Sequence, residues 1–301
     1  MKKMMLSLVV LSAAVLPVSA QVTSALWGVE GEAWNTNGLL RDFSTVGYMS
    51  GSEAIPDWPV GVNVTNYGAV ADDDLDDTQA FRDAIAACPS NSAVFVPNGI
   101  YNIEQQIVVS NKNNFVLRGE DMYDTVLWMP YYLTEIPGAE NTAFFYVDGG
   151  YQTSIENFSF IFRNQPKGGH WEALGADAIQ YVGVNQSWIR NIYIKNSDHG
   201  IGLSSMWSQH ISVMNIILDQ YMGRKDMEGT AAVGHMGITV YDAGYHLIDN
   251  VKLTGSWHHD VNAQGGKNSV WSRITGPKLG LDHHAMGSVY NLWTEIDFGL
   301  G

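Results

Sequence analysis

The stretch that decides the fold spans residues 66–101 and reads NYGAVADDDLDDTQAFRDAIAACPSNSAVFVPNGIY. Its middle part places apolar side chains at the i, i+3, i+4 and i+7 positions of one helical face, namely Phe81, Ala84, Ile85 and Cys88. A run of aspartates comes before this face, and a valine-rich run follows it. The stretch therefore predicts a short amphipathic helix between two extended segments.

Signals for the start of this helix and for a later turn flank the apolar face. Asp76 is expected to cap the helix, and Gln79, three residues on, completes a capping box, which places the helix at about residues 76–88. The Pro-Asn-Gly tripeptide at residues 97–99 separates two β-rich runs and is typical of a tight turn. The predicted order is strand, acidic turn, helix, strand, turn and strand.

Downstream of residue 115, short β-rich runs recur with an asparagine near their centre. The asparagines are Asn157, Asn191, Asn215 and Asn250, at separations of 34, 24 and 35 residues. Repeats of about 20–50 residues are typical of solenoids, in which each coil packs on its neighbours. Because asparagine suits a left-handed turn position or a ladder of stacked amides, we expect these four residues to be structural.

Several motifs within residues 66–101 resemble the N-terminal cap and first coil of the pectate-lyase superfamily. They are Tyr-Gly-Ala at 67–69, Asp-Asp-Thr at 76–78, Ala-Ile at 84–85 and Val-Pro-Asn-Gly-Ile-Tyr at 96–101. The resemblance implies an all-β fold, namely a right-handed single-stranded parallel β-helix over residues 61–301 with a short N-terminal capping α-helix. The same cap precedes many different chemistries, so the activity has to be argued from other residues.

The first 20 residues predict a secretory signal peptide. Lys2 and Lys3 provide the basic start, residues 4–15 the apolar core, and Val-Ser-Ala at residues 18–20 the cleavage site. We therefore expect a secreted or periplasmic protein.

The sequence predicts a different role for each end of the remaining chain. Residues 21–60 are expected to form a preamble that packs on the outside of the solenoid. Gly301 directly follows a repeat, without an amphipathic cap. Because an open solenoid end exposes core and strand edges, we expect a further C-terminal segment or domain.

The charge and the cysteine count limit the possible partners. The chain has 16 lysines and arginines against 31 aspartates and glutamates, a formal net charge of −15. This charge argues against nucleic acid and anionic membranes as partners. Cys88 is the one cysteine of the sequence, which excludes an intramolecular disulfide, and we interpret it as a small buried hydrophobe. The family resemblance implies an acidic polysaccharide as the partner.

Ionisable residues concentrate between residues 235 and 290. A lyase of uronic-acid polymers needs a base, a cation that neutralises the carboxylate, and an acid that protonates the leaving oxygen. The resemblance implies Lys, Arg, His or Tyr in these roles, often with Ca²⁺ held by carboxylates. The candidates are His284 or His259 as the base, Tyr241 as the acid, Arg273 or Lys267 as the neutraliser and His283 as a further catalytic residue; His258, His235 and Trp257 as substrate-binding residues; and Asp242, Asp260 and Asp282 as Ca²⁺ ligands.

Two adjacent histidine pairs, at residues 258–259 and 283–284, carry most of this prediction. Neighbouring side chains of a strand face opposite ways, so one histidine of each pair is expected to face the groove. Adjacent histidines that point apart make poor ligands, which disfavours zinc. His199, His210 and His246 are expected to be structural.

Two other classes of function remain open. A glycoside hydrolase of the polygalacturonase kind shares the β-helix and uses two carboxylates, and Asp-His-Gly-Ile-Gly at residues 198–202 resembles its Gly-His-Gly element. A non-catalytic, adhesin-like carbohydrate-binding β-helix would instead stack sugars on exposed tryptophans. The candidate tryptophans are Trp171, Trp188, Trp207 and Trp257.

Overall fold

The computed structural model describes residues 26, 28, 32–139, 143–164, 175–220, 234–284 and 286–299. The chain divides into two compact units, residues 1–42 and residues 43–301, and the solenoid lies in the second. The predicted signal peptide and Trp171 lie outside the described residues. None of the helices in the described part of the chain is long and apolar enough to cross a membrane.

The second unit consists mainly of short strands and one α-helix, α1 (Thr78–Ala87). Short 3-10 helices lie at Tyr48–Gly51, Val64–Tyr67 and Leu133–Glu135. The strands are β1 (Val60–Asn63), β2 (Ser92–Val96), β3 (Gly99–Asn102), β4 (Ile107–Ser110), β5 (Phe115–Gly119), β6 (Thr125–Met129), β7 (Ala143–Asp148), β8 (Thr153–Phe162), β9 (Asp177–Val182), β10 (Asn185–Lys195), β11 (His199–Ser204), β12 (Gln209–Asp219), β13 (Gly234–Tyr241), β14 (Leu247–Leu253), β15 (Trp257–Asn262), β16 (Val270–Thr275), β17 (Leu281–Asp282) and β18 (Leu292–Thr294).

These strands pair in parallel to form two sheets. The first sheet has the order β1-β2-β5-β8-β10-β12-β14-β16-β18, with β3 and β6 paired beside it. The second sheet has the order β4-β7-β9-β11-β13-β15-β17. From β9 onward the chain alternates between the sheets, and each strand pairs with its equivalent one coil later. This topology is a parallel β-helix, which confirms the predicted fold.

The first sheet bends at the repeated asparagines. Strands β5 and β6 pair with the two halves of β8 on either side of Asn157. Asn157 has a φ of 64°, and Asn191, Asn215 and Asn250 each have a φ of 55°. The Nδ2 groups of Asn191, Asn215 and Asn250 donate to the Oδ1 of the preceding asparagine, at 2.9, 3.0 and 2.5 Å, and the Asn157 Nδ2 donates to the Gly119 carbonyl at 3.2 Å. The predicted left-handed turns and the predicted amide ladder are both confirmed, and we call these four residues the asparagine ladder.

Apolar side chains fill the space between the sheets. Phe158, Ile192, Ile216 and Val251 directly follow the four ladder asparagines and are at most 1% exposed. Burial of one such side chain contributes about 1.5–3 kcal/mol. The repeat therefore places an amide on the outer surface and an apolar side chain in the core of each coil.

Helix α1 packs its predicted apolar face, including Phe81, into this core. The Asp76 carboxylate accepts a hydrogen bond from the Thr78 backbone N–H at 2.9 Å, so it satisfies an otherwise free donor at the helix start. The predicted capping box is wrong. The Gln79 side chain instead donates to the Asp83 carboxylate at 2.8 Å, one helical turn onward.

Residues 43–59 pack on the outside of the first sheet around Trp188. The Trp188 ring centroid lies 5.1 Å from that of Tyr48 and 5.7 Å from that of Trp58. Its indole N–H donates to the buried Glu156 carboxylate at 2.7 Å. Trp188 is fully buried, so it is not one of the exposed, sugar-stacking tryptophans expected for an adhesin.

Candidate active site

A row of histidine rings crosses the second sheet from β11 to the end of β17. The ring centroids of His199 and His235 are 5.2 Å apart, those of His235 and His259 are 5.5 Å apart, and those of His259 and His284 are 5.0 Å apart. His258 lies beside them, 4.5 Å from His259 and 6.3 Å from His235. We call these five residues the histidine row.

Both His258 and His259 lie next to His235, although the two residues are adjacent in β15. Neighbouring side chains of a regular strand face opposite ways. The two rings nevertheless approach each other to 4.5 Å between centroids, and both residues are only partly buried. Which of the two faces a bound chain stays a prediction.

The two histidines of the second pair, His283 and His284, lie in different environments. His284 faces the row, whereas the His283 ring lies 5.4 Å from Trp293, which belongs to β18 of the first sheet. His283, a predicted catalytic residue, thus lies against the first sheet and does not contribute to the row.

One carboxylate holds the two histidines at the C-terminal end of the row. The Asp282 Oδ2 lies 2.5 Å from the His259 Nδ1 and 3.3 Å from the His284 Nδ1. The side chains of His259, Asp282 and His284 are 12%, 28% and 44% exposed, so solvent exposure increases from His259 to His284. A carboxylate at Nδ1 orients an imidazole and stabilises its protonated form, which is the arrangement of a general base.

The other end of the row carries two buried carboxylates. Asp177 accepts the backbone N–H of His199 at 3.1 Å, and Asp198 accepts that of His235 at 3.0 Å. The His199 Nδ1 lies 3.5 Å from the Asp177 Oδ2. Burial, and then the nearby charge of Asp177, raises the pKa of Asp198 to about 6. Burial lowers the pKa of His199, against the opposite effect of Asp198.

Sequence reasoning missed this end of the row. His199 is predicted to be structural, and neither Asp177 nor Asp198 is among the predicted site residues. The Asp-His-Gly motif at residues 198–200, quoted above for the hydrolase alternative, was the available signal. It could not reveal that the preceding coil brings a second aspartate to the same histidine.

Tyr241 ends β13 beside the row, and its hydroxyl lies 3.4 Å from the Met236 Sδ. Burial, followed by the charge of Asp177, raises the pKa of Tyr241, so the phenol is protonated at neutral pH. A protonated phenol in this place can donate a proton. Tyr241 therefore lies on the same strand as His235, and its role as the catalytic acid stays a prediction.

Arg273 and Lys267, the predicted neutralisers, lie elsewhere. Arg273 belongs to β16 of the first sheet, has a φ of 52° and forms an ion pair with Asp249, its Nε donating at 2.8 Å. It occupies the coil position that follows Asn250 of the asparagine ladder. The assignment of Arg273 as neutraliser is therefore wrong, because it lies on the other sheet. Lys267 is exposed in the turn between β15 and β16.

Two predicted ligand residues are buried and have structural roles. Trp257 is fully buried, and its indole N–H donates to the Ser197 carbonyl at 3.3 Å, so it cannot stack on a substrate. Asp260 is 1% exposed, and its two oxygens accept the backbone N–H groups of Trp257 at 2.8 Å and Gly280 at 2.7 Å. The bond from Gly280 links Asp260 to the next coil, and these contacts correct both predictions.

The predicted set of three Ca²⁺-binding aspartates does not assemble. Asp242 is exposed in the turn after β13, with a φ of 51°, and Asp260 is engaged by backbone N–H groups. Within the described residues, side chains that could share a metal ion form two groups. One group is His259, Asp282 and His284, and the other is Asp177, Asp198 and His199.

Comparisons with known proteins agree with the architecture. Residues 61–130 match the family described as "Rhamnogalacturonase A/epimerase, pectate lyase-like". No curated protein sequence matches this chain. The fold is that of the pectate-lyase-like parallel β-helices.

Three solved structures share this fold. The pre-mature gene product 12 of bacteriophage phi29 is 16% identical with a TM-score of 0.54, over 78% of this chain and 33% of that one. DFA-IIIase from Arthrobacter chlorophenolicus A6 in complex with GF2 is 12% identical with a TM-score of 0.54, over 77% and 66%. Iota-carrageenase complexed to iota-carrageenan fragments is 16% identical with a TM-score of 0.52, over 79% and 53%. The chain thus spans between a third and two thirds of the length of these proteins.

Proposed function

We propose that the protein is an exported polysaccharide lyase that cleaves a uronic-acid polymer by β-elimination on the second sheet. The observation that carries this proposal is the Asp282 carboxylate, which holds the imidazoles of His259 and His284 at a partly exposed surface. The predicted signal peptide supports export. The likeness of the fold to iota-carrageenase, which was solved with carrageenan fragments, supports a polysaccharide as the substrate class.

The histidine row, together with Asp282 and Tyr241 beside it, supplies the groups that an elimination needs. His259 removes the proton next to the uronate carboxylate, and Asp282 stabilises the imidazolium that forms. Tyr241 protonates the leaving glycosidic oxygen. His284 and His258 contact the sugar that carries the reacting carbon.

Positive charge for the substrate carboxylate also comes from the histidine row. The seven strands of the second sheet contain no lysine or arginine, whereas β11, β13 and β15 contain four of the five histidines. A protonated imidazole beside the uronate lowers the cost of the carbanion-like intermediate. The net charge of −15 therefore does not prevent a polyanion from binding at this place.

The carboxylates of the site favour elimination over hydrolysis. A glycoside hydrolase needs two carboxyl groups that flank the scissile bond. Asp177 and Asp198 are only 4% and 7% exposed and accept backbone N–H groups, and Asp282 is engaged by two imidazoles. The imidazoles are thus the groups that present acid–base chemistry to a bound chain.

The test is incubation of the full-length protein with polygalacturonate, alginate and other polyuronides. We expect an increase in ultraviolet absorbance, because β-elimination leaves an unsaturated sugar at the new end. New reducing ends without this absorbance would instead indicate a hydrolase. Neither signal, together with retained polysaccharide binding, would indicate an adhesin-like binder.

Adjacent histidines provide a matched pair of variants for this assay. His284→Ala removes an imidazole from Asp282, and His283→Ala makes the same change one residue earlier, against Trp293. We expect His284→Ala to reduce cleavage strongly and His283→Ala to leave it unchanged. Equal effects of the two variants would contradict the placement of the site.

A further inference from the structure

We propose that Asp177, Asp198 and His199 form a binding site for a divalent transition-metal ion such as Zn²⁺. One ligand atom from each of these residues lies within 4.8 Å of the others. Zinc holds its ligands at about 2.0–2.2 Å, which separates them by roughly 3–4 Å, so small side-chain rotations are sufficient to seat the ion. The site goes beyond the reaction proposed above and does not depend on it.

The backbone already orients the two carboxylates. The Oδ1 of Asp177 accepts the His199 N–H at 3.1 Å, and the Oδ1 of Asp198 accepts the His235 N–H at 3.0 Å. The Asp177 Oδ2 faces the His199 Nδ1 at 3.5 Å. Metal-ligating carboxylates are commonly held in this way by a second hydrogen bond, which fixes the ligand before the ion arrives.

Local charge gives a reason for a cation at this place. Two carboxylates that are 4% and 7% exposed lie together, while a single imidazole can contribute at most one positive charge. The strands of the second sheet bring no lysine or arginine. Buried like charges are costly, and a divalent ion removes their repulsion.

The ligand types decide which ion is expected. Calcium takes six to eight oxygen ligands, whereas a site of one imidazole and two carboxylates suits zinc and its neighbours in the first transition row. The His199 side chain is 27% exposed, so a fourth ligand position can be reached from the groove. A bound ion would place a fixed positive charge at the opposite end of the row from Asp282.

The second metal-compatible group differs from this one in its balance of charge. In the group of His259, Asp282 and His284, one carboxylate lies beside two imidazoles, so the group brings no two like charges of carboxylates together. We therefore expect no metal ion there. Asp282→Asn is therefore a matched control, because it makes the same chemical change in the group where we expect no metal.

The experiment is isothermal titration of the metal-free full-length protein with Zn²⁺, with the stoichiometry measured by mass spectrometry after dialysis. We expect one Zn²⁺ per chain. Asp198→Asn and His199→Ala each remove a ligand, so affinity should fall by more than the roughly 10–100-fold that outer-shell changes cost. The Asp198→Asn change keeps a side-chain carbonyl oxygen for the His235 N–H, and circular dichroism checks that each variant is folded.

Several results would overturn the site. They are no Zn²⁺ binding by the wild-type protein, binding that survives Asp198→Asn, or binding that is lost in Asp282→Asn alone. Calcium binding that persists in His199→Ala would show an oxygen-only site instead. The titration contains no polysaccharide, so failure of the proposed lyase activity leaves its outcome unaffected.

Discussion

The asparagine ladder on the first sheet and the histidine row on the second are both made of one residue type repeated on successive coils, yet they are built differently. The inner amides, Asn191 and Asn215, each donate to the preceding ladder asparagine and accept from the following one, so members of the ladder satisfy one another. In the row, the His199 imidazole lies beside the Asp177 carboxylate, and the Asp282 carboxylate contacts the imidazoles of both His259 and His284. Repetition therefore indicates a structural role where the side chains satisfy one another, and it leaves room for the proposed chemistry where the side chains have partners of another type.

The largest expected effect is on catalysis, from His259→Gln. The variant keeps a polar side chain but removes the base, so polyuronide cleavage should fall by about 10²–10⁴-fold. Cleavage is followed by ultraviolet absorbance, and the Tm should stay near that of the wild type. Retained activity would contradict a catalytic role for His259 and for the histidine row.

A change in the asparagine ladder should lower stability and leave cleavage unchanged, the opposite of the effect expected for His259. Asn215→Ala loses the hydrogen bonds to Asn191 and from Asn250 and places alanine at a φ of 55°. We expect a loss of about 2 kcal/mol in the free energy of unfolding, with cleavage unchanged. Urea denaturation measures the loss, and Lys252→Ala, an exposed change on β14, is the control, expected within about 0.5 kcal/mol of wild type. Loss of cleavage in folded Asn215→Ala would contradict a purely structural ladder.

His246 lies outside the histidine row and should make the free energy of unfolding depend on pH. His246 is fully buried, its Nδ1 accepts the Ile211 N–H at 3.2 Å, and burial lowers its pKa to about 3. Between pH 3 and 6.5 the unfolded chain binds more protons at this residue, so the stability that its neutral form provides is lost as the pH falls. One such group contributes a slope of at most about 1.4 kcal/mol per pH unit.

Urea denaturation between about pH 5 and 7.5 measures this slope. His246→Gln keeps a side-chain acceptor but does not titrate, so its free energy of unfolding should fall less on acidification than that of the wild type. An identical slope in the two proteins would show that His246 does not titrate as a buried neutral histidine.

The smallest expected effect comes from extending the ladder. Arg273 occupies the next coil position at a φ of 52°, and Arg273→Asn could add one amide donor to Asn250. The added bond and the tolerance of asparagine for this conformation should outweigh the loss of the ion pair with Asp249, so the Tm should rise slightly. Thermal unfolding measures the gain. Loss of cleavage would restore Arg273 as a candidate neutraliser.

The fold could be predicted from the sequence because its signals are local. The apolar face around Phe81 and the left-handed asparagines depend on near neighbours in the chain, and both are observed as expected. The capping box failed because Gln79 had an equally local partner in Asp83. Local competition of this kind changes a cap without changing the fold.

The site was less predictable because its geometry depends on contacts between coils. The rings of His258 and His259 approach each other to 4.5 Å, which strict alternation of neighbouring side chains does not anticipate. Asp260 was a plausible ligand in sequence, but the next coil supplies the Gly280 N–H that engages it. Asp177 and His199 meet for the same reason, since each lies on a different coil.

The side-chain amide dipoles of the asparagine ladder point in one direction along the solenoid. Every amide points its N–H toward the preceding coil and its oxygen toward the following one, so four side-chain dipoles add head to tail along the solenoid axis. The negative end lies at Asn250, and the next coil position is that of Arg273, whose guanidinium pairs with Asp249. Aligned peptide dipoles give an α-helix its macrodipole in the same way. The outside of this β-helix thus carries the electrostatic counterpart of an α-helix, assembled from side chains.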